Sequence, residues 1–149
     1  MTNVSLRDAT PTDAGRAGAI LSEFIDETAW MPRLHTRAEE VAFVGDMIDW
    51  GWVTVAVCDA ELAGFLARNA SDIHALYVSG QCRHTGCGSA LIDHAKREET
   101  ELSLWTFQAN AAAQAFYRAH GFVVAERTDG AGNDEKLPDI RLVWKKEDA

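Results

Sequence analysis

The sequence predicts an α/β (α+β) fold, in which helices pack on a mixed sheet of parallel and antiparallel strands, and three observations support this. Residues 73–78 are β-branched, aromatic and apolar, as expected of a buried strand. They continue through a polar, glycine-bearing loop at 79–85 into a helical pattern from 86 to about 99. Another strand pattern follows at 102–107, and it must run parallel to 73–78 if the helix is the crossover between them.

The first half of the chain predicts a strand, two helices and an antiparallel meander. Residues 4–8 form a short edge strand, and Thr10 caps a first helix that ends before Pro32. A capping box, Thr36-Arg37-Ala38-Glu39, begins a second helix that stops around residue 51. Strand patterns at 52–58 and 62–67 then lead into the central strand, and Gly64 indicates a bulge or a close approach.

The second half predicts two more strands after one further helix. Asn110 caps a helix over 111–119, and Gly121 supplies the left-handed residue that ends it. A strand at 122–126 and an acidic loop follow, and the alternating stretch 139–144 is expected to close the sheet as an edge strand. The order β-α-α-β-β-β-α-β-α-β-β over residues 1–149 is expected to form a single domain.

Composition narrows the classes of function. The chain has 149 residues, 47% of them hydrophobic, and 14 basic against 23 acidic residues give a net charge of −9. Nucleic acid is therefore not expected as a partner, because its binding depends on neutralising phosphates. No signal peptide or membrane-spanning stretch is recognisable, so we expect a cytoplasmic protein without membrane association. The three cysteines and five histidines lack metal-ligand spacing, and no metal is expected.

The loop before the third helix has the features of an anion site. A helix N-terminus presents free N–H groups and a positive dipole end, and glycine lets a phosphate approach the backbone. A P-loop would need a lysine after the second glycine, and a Rossmann turn would need a third glycine where Leu91 stands. The spacing that remains is Arg-x-x-Gly-x-Gly, in the segment Arg83-His84-Thr85-Gly86-Cys87-Gly88.

This segment resembles the pyrophosphate loop of the GNAT superfamily of acetyl-CoA-dependent N-acetyltransferases. Two further segments are similar to that family, in the same order along the chain: Leu76-Tyr77-Val78, and Asn110 through Phe122 with its Phe116-Tyr117 pair. Gly80 stands where the family often has proline, and His84 and Thr85 stand where it often has glycine and a basic residue. The resemblance covers essentially the whole chain and implies acetyl-CoA as co-substrate. It implies cofactor contacts from Leu76, Tyr77, Val78, Arg83, His84, Thr85, Gly86, Cys87, Gly88, Ser89, Asn110, Phe116 and Tyr117.

The resemblance also implies roles in the chemistry. The central sheet would be splayed between the strands at 73–78 and 102–107, which frees the main-chain N–H of Val78 to stabilise the charge that develops on the thioester oxygen. Tyr117 would protonate the leaving sulfur. Considered without the family, Val78 is a core residue and Tyr117 a core aromatic with its hydroxyl at the surface. Cys87 lies within the loop, but no base stands beside it in sequence, and the family transfers the acetyl group directly.

Two residues compete for the role of general base. Asp72 and His74 are two apart and share a face of a regular strand. A carboxylate acts through water, a histidine has the better free pKa, and a hydrogen-bonded core histidine is the alternative for His74. The choice between them stays open.

The acceptor is expected to be a primary amine of a small cationic molecule, a peptide or a protein. The acidic net charge and the pair Asp134-Glu135 favour a cation. Alternatives are a non-catalytic CoA-binding module and transfer of a different acyl group, and a homodimer through the last strands is left open. The acceptor pocket is predicted to include Trp30, Met31, His35, Asp72, His74, Trp105 and Phe107.

Overall fold

Seven strands form one mixed sheet in the order β1-β2-β3-β4-β5-β7-β6 in the computed structural model, which describes residues 4–82 and 85–147. All neighbours pair antiparallel except β4 and β5, which are parallel. The strands are β1 Val4–Asp8, β2 Val53–Cys58, β3 Glu61–Asn69, β4 Asp72–Val78, β5 Glu101–Phe107, β6 Val123–Thr128 and β7 Asp139–Lys145. The predicted α/β class with a mixed sheet is confirmed.

The four helices begin and end where local sequence signals direct. They are α1 Ala14–Glu27, α2 Arg37–Asp49, α3 Cys87–Glu98 and α4 Ala111–Ala119, and a short 3-10 turn, Pro11–Asp13, precedes α1. The side chain of Thr36 accepts a hydrogen bond from the Glu39 N–H at the start of α2, and Asn110 caps α4 through the Ala113 N–H. Gly121 has φ +88°, as expected for the residue that ends α4.

The sheet separates two hydrophobic clusters. Helices α1 and α2 cover one face, where Ile20, Val44, Met47 and Phe65 are fully buried. Helix α3 covers the other face through Leu91 and Ile92, and α4 adds side chains that include Tyr117. Each helix therefore buries one apolar stripe against the sheet, which is how an amphipathic helix is stabilised.

The predicted position of the last strand is wrong. β7 does not lie at the edge, because it pairs with β5 on one side and β6 on the other. β6 is the edge strand, and its residues are almost all exposed, whereas β7 buries Ile140 and Leu142. The more apolar strand of the hairpin therefore inserts into the sheet, and the more polar strand is left at its edge.

The sheet opens between β4 and β5. The two strands are paired only at Asp72 with Ser103 and at Ile73 with Leu104. Beyond these positions β4 stays paired with β3 as far as Val78, while β5 follows β7. The predicted splay is thus present, and it leaves a V-shaped gap in the middle of the sheet.

Regular alternation is interrupted on both sides of β3. The register of β2 against β3 shifts opposite Gly64, and a Cβ at Gly64 would lie 2.9 Å from the Tyr77 carbonyl oxygen. The bulge and the close approach, which were predicted as alternatives at this glycine, are both present. A second shift, between Ala67 and Arg68, gives β4 one extra residue at His74.

Candidate active site

The gap between β4 and β5 is continuous with a cleft of about 480 Å³. This is within the usual size range of small-molecule sites. The walls come from the end of β4, the start of α3, helix α4 and the end of α1, and they comprise Phe24, Glu27, Thr28, Ala29, Trp30, Leu76, Tyr77, Val78, Gly88, Asn110, Ala112, Ala113, Phe116 and Tyr117. We call it the main cleft.

A narrower space of about 100 Å³ continues from the main cleft between the diverging strands. Leu76, Tyr77, Asn110 and Tyr117 belong to both. The inner space, as we name it, adds His74 from β4 and Trp105 through Phe107 from β5. Some of the predicted cofactor residues and some of the predicted acceptor residues thus line one connected channel.

The main-chain N–H of Val78 points into the gap between β4 and β5. The N–H of Ser79 donates to the Ala63 carbonyl on β3, at 2.7 Å. Successive N–H groups of a strand point to opposite edges, so the Val78 N–H points toward β5. β4 pairs with β5 only as far as Ile73, so no strand covers this part of the edge. The arrangement offers a main-chain donor to a developing negative charge.

Tyr117 lies where the main cleft and the inner space meet, and only 7% of its surface is exposed. Its ring packs against Phe116 and Phe122 at centroid distances of 5.2 and 5.4 Å. Burial, with a smaller contribution from Tyr77, raises the pKa of the Tyr117 hydroxyl well above its ordinary value. The hydroxyl is therefore protonated at neutral pH, which is the form that a proton donor needs.

Gly86 and Gly88 shape the start of α3. Gly86 caps the helix with φ +91°, a conformation that a residue with a Cβ adopts at a cost. A Cβ at Gly88 would lie 3.2 Å from the Phe116 ring, so the glycine lets α3 approach α4 closely. The N-terminus of α3 therefore stands at the cleft wall with its dipole directed outward.

The other predicted loop residues are placed differently from one another. Arg83 and His84 lie outside the described residues. Thr85 donates to the carbonyl of Cys82, and its hydroxyl lies 3.4 Å from the Cys87 sulfur. Cys87 is 1% exposed and packs in the core beneath α3, and the Ser89 hydroxyl shares a hydrogen bond with His120 Nε2 at 3.1 Å. The Cys87 thiol is therefore a core group, and the Ser89 hydroxyl is already partnered within the protein.

The two candidate bases have different surroundings. Asp72 is exposed, accepts a hydrogen bond from the Ser103 hydroxyl at 3.0 Å, and lines neither the main cleft nor the inner space. His74 lines the inner space together with Tyr117. Their expected common face rested on regular alternation, which the extra residue at His74 interrupts: Ile73 and Ala75, also two apart, pack in opposite clusters.

The predicted acceptor aromatics divide between the main cleft and the inner space. Trp30 lines the main cleft, and its ring meets Phe107 edge-on at 5.8 Å. Trp105 and Phe107 line the inner space, and 49% of Trp105 is exposed. Met31 and His35 are absent from the described walls of both, and His35 lies 3.9 Å from the Glu39 carboxylate instead.

Sequence reasoning missed the contribution of α1. At the C-terminal end of α1, the main cleft is lined by Phe24, Glu27 and Thr28, and the Phe24 ring packs on Tyr77 at 5.1 Å. Phe24 lies near the end of α1 and Thr28 directly follows the helix, and no local sequence signal indicates that this end of α1 borders a cleft. Only the placement of α1 across the sheet reveals it.

Comparison with known proteins decides the family. Residues 49–124, about half of the chain, match the sequence profile described as the acetyltransferase (GNAT) domain. The chain belongs to the GNAT family. The predicted superfamily and enzyme class, an acetyl-CoA-dependent acyltransferase, are thereby confirmed.

Relatives of this GNAT protein include two bacterial enzymes and a solved structure. It is 25% identical to the peptidyl-lysine N-acetyltransferase YjaB of Salmonella typhimurium over 95% of this chain and 98% of that protein. It is 29% identical to the peptidyl-lysine N-acetyltransferase YiaC of Escherichia coli over 69% of this chain and 67% of that protein. PaiA N-acetyltransferase from Thermoplasma acidophilum, solved with coenzyme A, superimposes with a TM-score of 0.71 at 19% identity, covering 96% and 99% of the two chains.

Two further findings concern metal binding and membrane-spanning helices. Within 4–82 and 85–147, no group of three or more His, Cys, Asp or Glu side chains is arranged to hold a metal ion. In the same part of the GNAT chain, no helix is long and apolar enough to cross a membrane.

Proposed function

We propose that this protein transfers the acetyl group of acetyl-CoA directly to the side-chain amine of a lysine in a peptide or protein. The observation that carries the proposal is the gap between β4 and β5, which brings the Val78 N–H, Tyr117 and His74 to one channel. The chemistry of the main cleft suits acetyl-CoA, because its walls are apolar along Leu76 and Phe116 and are bounded by the N-terminus of α3.

The proposed reaction is one displacement in a ternary complex. The amine nitrogen bonds to the thioester carbonyl carbon, the carbon–sulfur bond breaks, and the electron pair leaves with sulfur. The Val78 N–H stabilises charge on the carbonyl oxygen, and Tyr117 supplies a proton to the sulfur. The proton that the amine loses goes to His74 or, through water, to Asp72.

A cationic acceptor is supported by charge near the channel. Glu135, in the loop before β7, and Glu40 lie close enough for their charges to contribute to the raised pKa of Tyr77, about 12, for which burial is the main cause. Tyr77 lines both the main cleft and the inner space, so these carboxylates bring negative charge near the channel, partly offset at Glu40 by its ion pair with Arg33. The net charge of −9 acts in the same direction over longer distances.

The relatives favour a lysine side chain over a free small amine. YjaB and YiaC are named peptidyl-lysine N-acetyltransferases, and Trp105, which lines the inner space, is half exposed and therefore accessible to a peptide around the acceptor lysine. We extend the proposal to a cytoplasmic location and to one domain over residues 1–149. A small cationic amine is the second candidate acceptor.

An acceptor panel with a free-thiol readout tests the proposal. The panel contains lysine peptides blocked at both ends, peptides with a free N-terminus and no lysine, polyamines, and anionic or aromatic amines. We expect the fastest thiol release with blocked lysine peptides, and kcat/KM falling as salt rises from low ionic strength to about 0.15 M, where screening acts over about 8 Å. A preference for an anionic amine would contradict the proposed acceptor.

The panel also separates the alternatives. A non-catalytic CoA-binding module would bind CoA and release no thiol with any amine. A longer-chain acyltransferase would turn over propionyl-CoA or butyryl-CoA faster than acetyl-CoA with the same lysine peptide.

A further inference from the structure

Three aromatic side chains, one of which lines the inner space, contact one another in series. The Trp52 ring lies nearly parallel to the His74 ring, with centroids 4.9 Å apart and planes inclined by 16°. The Trp50 ring lies 4.7 Å from the Trp52 ring, with the planes inclined by 54°. His74 is exposed and lines the inner space beside Tyr117, while Trp50 is 57% exposed at the end of α2. We call these three residues the aromatic row.

The proposed chemistry does not account for this arrangement. Single exposed aromatics are ordinary on protein surfaces, but here two tryptophans from the end of α2 and the start of β2 contact each other, and one of them stacks on a histidine of β4. Trp52 packs on the cluster under α1 and α2, so its ring is anchored from below. The main-chain N–H of Trp50 donates to the Asp46 carbonyl at 3.0 Å, which fixes the backbone of this residue at the end of α2. An ordered aromatic surface loses little conformational entropy when it binds a partner.

Charge beside the aromatic row indicates the chemistry of that partner. A polar cleft of about 440 Å³ adjoins Trp50 and Trp52, and its other walls include Asp8, Arg68, Glu98 and Glu99. Arg68 is engaged by both glutamates, at 3.2 Å to Glu98 and 2.9 Å to Glu99. Three carboxylates against one guanidinium leave this surface negative. Aromatic faces bounded by carboxylates favour lysine and arginine side chains, through cation–π contact and through Coulomb attraction.

We propose that the aromatic row and the adjoining acidic cleft dock a basic, extended segment that flanks the acceptor lysine. The inference rests on the proposed function, because it assumes that the acceptor amine enters the inner space beside His74. From His74 to Trp50 the two ring-to-ring steps are 4.9 and 4.7 Å. An extended chain advances about 3.3–3.6 Å per residue, so Trp50 is within reach of side chains two to four residues from the acceptor. The partner is therefore a peptide with lysine or arginine two to four residues from its target lysine.

The test compares three acceptors and two variants. The acceptors are lysine blocked at both ends, a blocked peptide with one lysine and arginines two to four residues away, and the same peptide with serines in place of the arginines. We expect Trp50→Ala to raise KM about five- to tenfold for the arginine peptide, with kcat retained and no change for blocked lysine. Phe43→Ala is the matched control, because Phe43 is 53% exposed on α2 and has no ring contact with the aromatic row among the described residues.

A binding measurement keeps this inference separate from the proposed function. An arginine peptide with norleucine in place of the acceptor lysine cannot react, and its binding is followed by tryptophan fluorescence in the wild type and in Trp50→Phe and Trp50→Ala. We expect saturable quenching in the wild type and at least fivefold weaker binding in Trp50→Ala. If acetyl transfer occurs but arginine and serine peptides bind and react alike, the docking surface is wrong and the proposed function stands. If no amine releases thiol, the proposed function fails, and an unquenched norleucine titration would remove the docking surface as well.

Discussion

The carboxylate of Glu23 accepts a hydrogen bond from the main-chain N–H of Gly80, at 2.7 Å. Glu23 is on α1, and Gly80 begins the turn that follows β4, so the contact ties a helix on one side of the main cleft to the loop on the other. The family often has proline where Gly80 stands, and proline could not donate this bond. The glycine thus provides an anchor for the loop that the sequence alone did not reveal.

Two substitutions at Glu23 separate the anchor from its charge. Glu23→Gln keeps an oxygen acceptor for Gly80 and removes a negative charge near an anion site, so we expect CoA to bind as tightly as in the wild type or a few-fold more tightly. Glu23→Ala removes the anchor as well, and we expect CoA affinity to fall about two- to tenfold, the usual worth of one hydrogen bond. Isothermal titration with CoA measures both. Equal affinities for the alanine variant and the wild type would show that the contact does not order the loop.

Ligand binding should depend on the glycines at the start of α3. We expect CoA and acetyl-CoA to raise the melting temperature by roughly 5–10 °C at about 100 times Kd, whereas NAD and ATP do not. Gly86→Val should abolish the shift, because valine is strained at φ +91° and its side chain would stand where a phosphate approaches. Gly132→Val is the control, since Gly132 is open to solvent and has no positive φ. An equal shift with ATP would contradict a site selective for CoA.

Removing the Tyr117 hydroxyl should affect the rate more than binding. We expect Tyr117→Phe to leave CoA affinity nearly unchanged and to lower kcat by roughly ten- to a thousandfold, because a thiol leaving group needs only modest help from an acid. Titration with CoA and single-turnover kinetics measure the two quantities. Cys87→Ala serves as a control for a covalent route and should retain turnover, because the thiol is buried in the core. Unchanged single-turnover rates in Tyr117→Phe would remove the hydroxyl from the mechanism.

Paired variants should identify the group that receives the amine proton. His74 lines the inner space with Tyr117, so we expect His74→Gln to lower kcat/KM about a hundredfold at neutral pH. Asp72→Asn should lower it less, because its carboxylate lies outside the described walls of both spaces. Both losses should shrink at higher pH, where more of the amine is already neutral. A larger loss in Asp72→Asn would assign the role to the carboxylate acting through water.

Acid stability should depend on Asp13, at the start of α1. Its carboxylate accepts two hydrogen bonds from Arg7, at 2.8 and 3.0 Å, and one from the Thr10 N–H at 2.8 Å. The Arg7 bonds are the main cause that lowers the pKa of Asp13 from 3.8 to about 2. Between these values the unfolded chain binds more protons than the folded one, so stability is present above pH 3.8 and is lost as pH falls toward 2.

We therefore expect Asp13→Asn to reduce the free energy of unfolding at pH 7 by up to about 2 kcal/mol, and by much less near pH 2. Part of that value is lost to screening, since 47% of the Arg7 side chain is exposed. Urea unfolding at pH 2, 4 and 7 measures the difference between the two proteins. A difference that stays constant across this range would show that the ion pair does not titrate with folding.

Sequence alone determined the elements and the order of the site segments along the chain. The Thr36 capping box, the Asn110 cap and the left-handed Gly121 are contacts among residues a few positions apart, so their patterns suffice to place helix ends. The same holds for the glycine-bearing start of α3. The parallel pairing of β4 with β5 could also be predicted from the sequence, because adjacent strands that are joined by a helical crossover run parallel.

Tertiary structure decided which distant residues meet. The insertion of β7 between β5 and β6 depends on competition between two strands for one edge, which neither pattern contains by itself. The extra residue at His74 depends on the register of β4 against β3. It interrupts the regular alternation of side chains from which a common face for His74 and Asp72 was predicted. The Glu23–Gly80 bond and the stacking of Trp52 on His74 join residues 57 and 22 positions apart, and such contacts exist only once the sheet has formed between them.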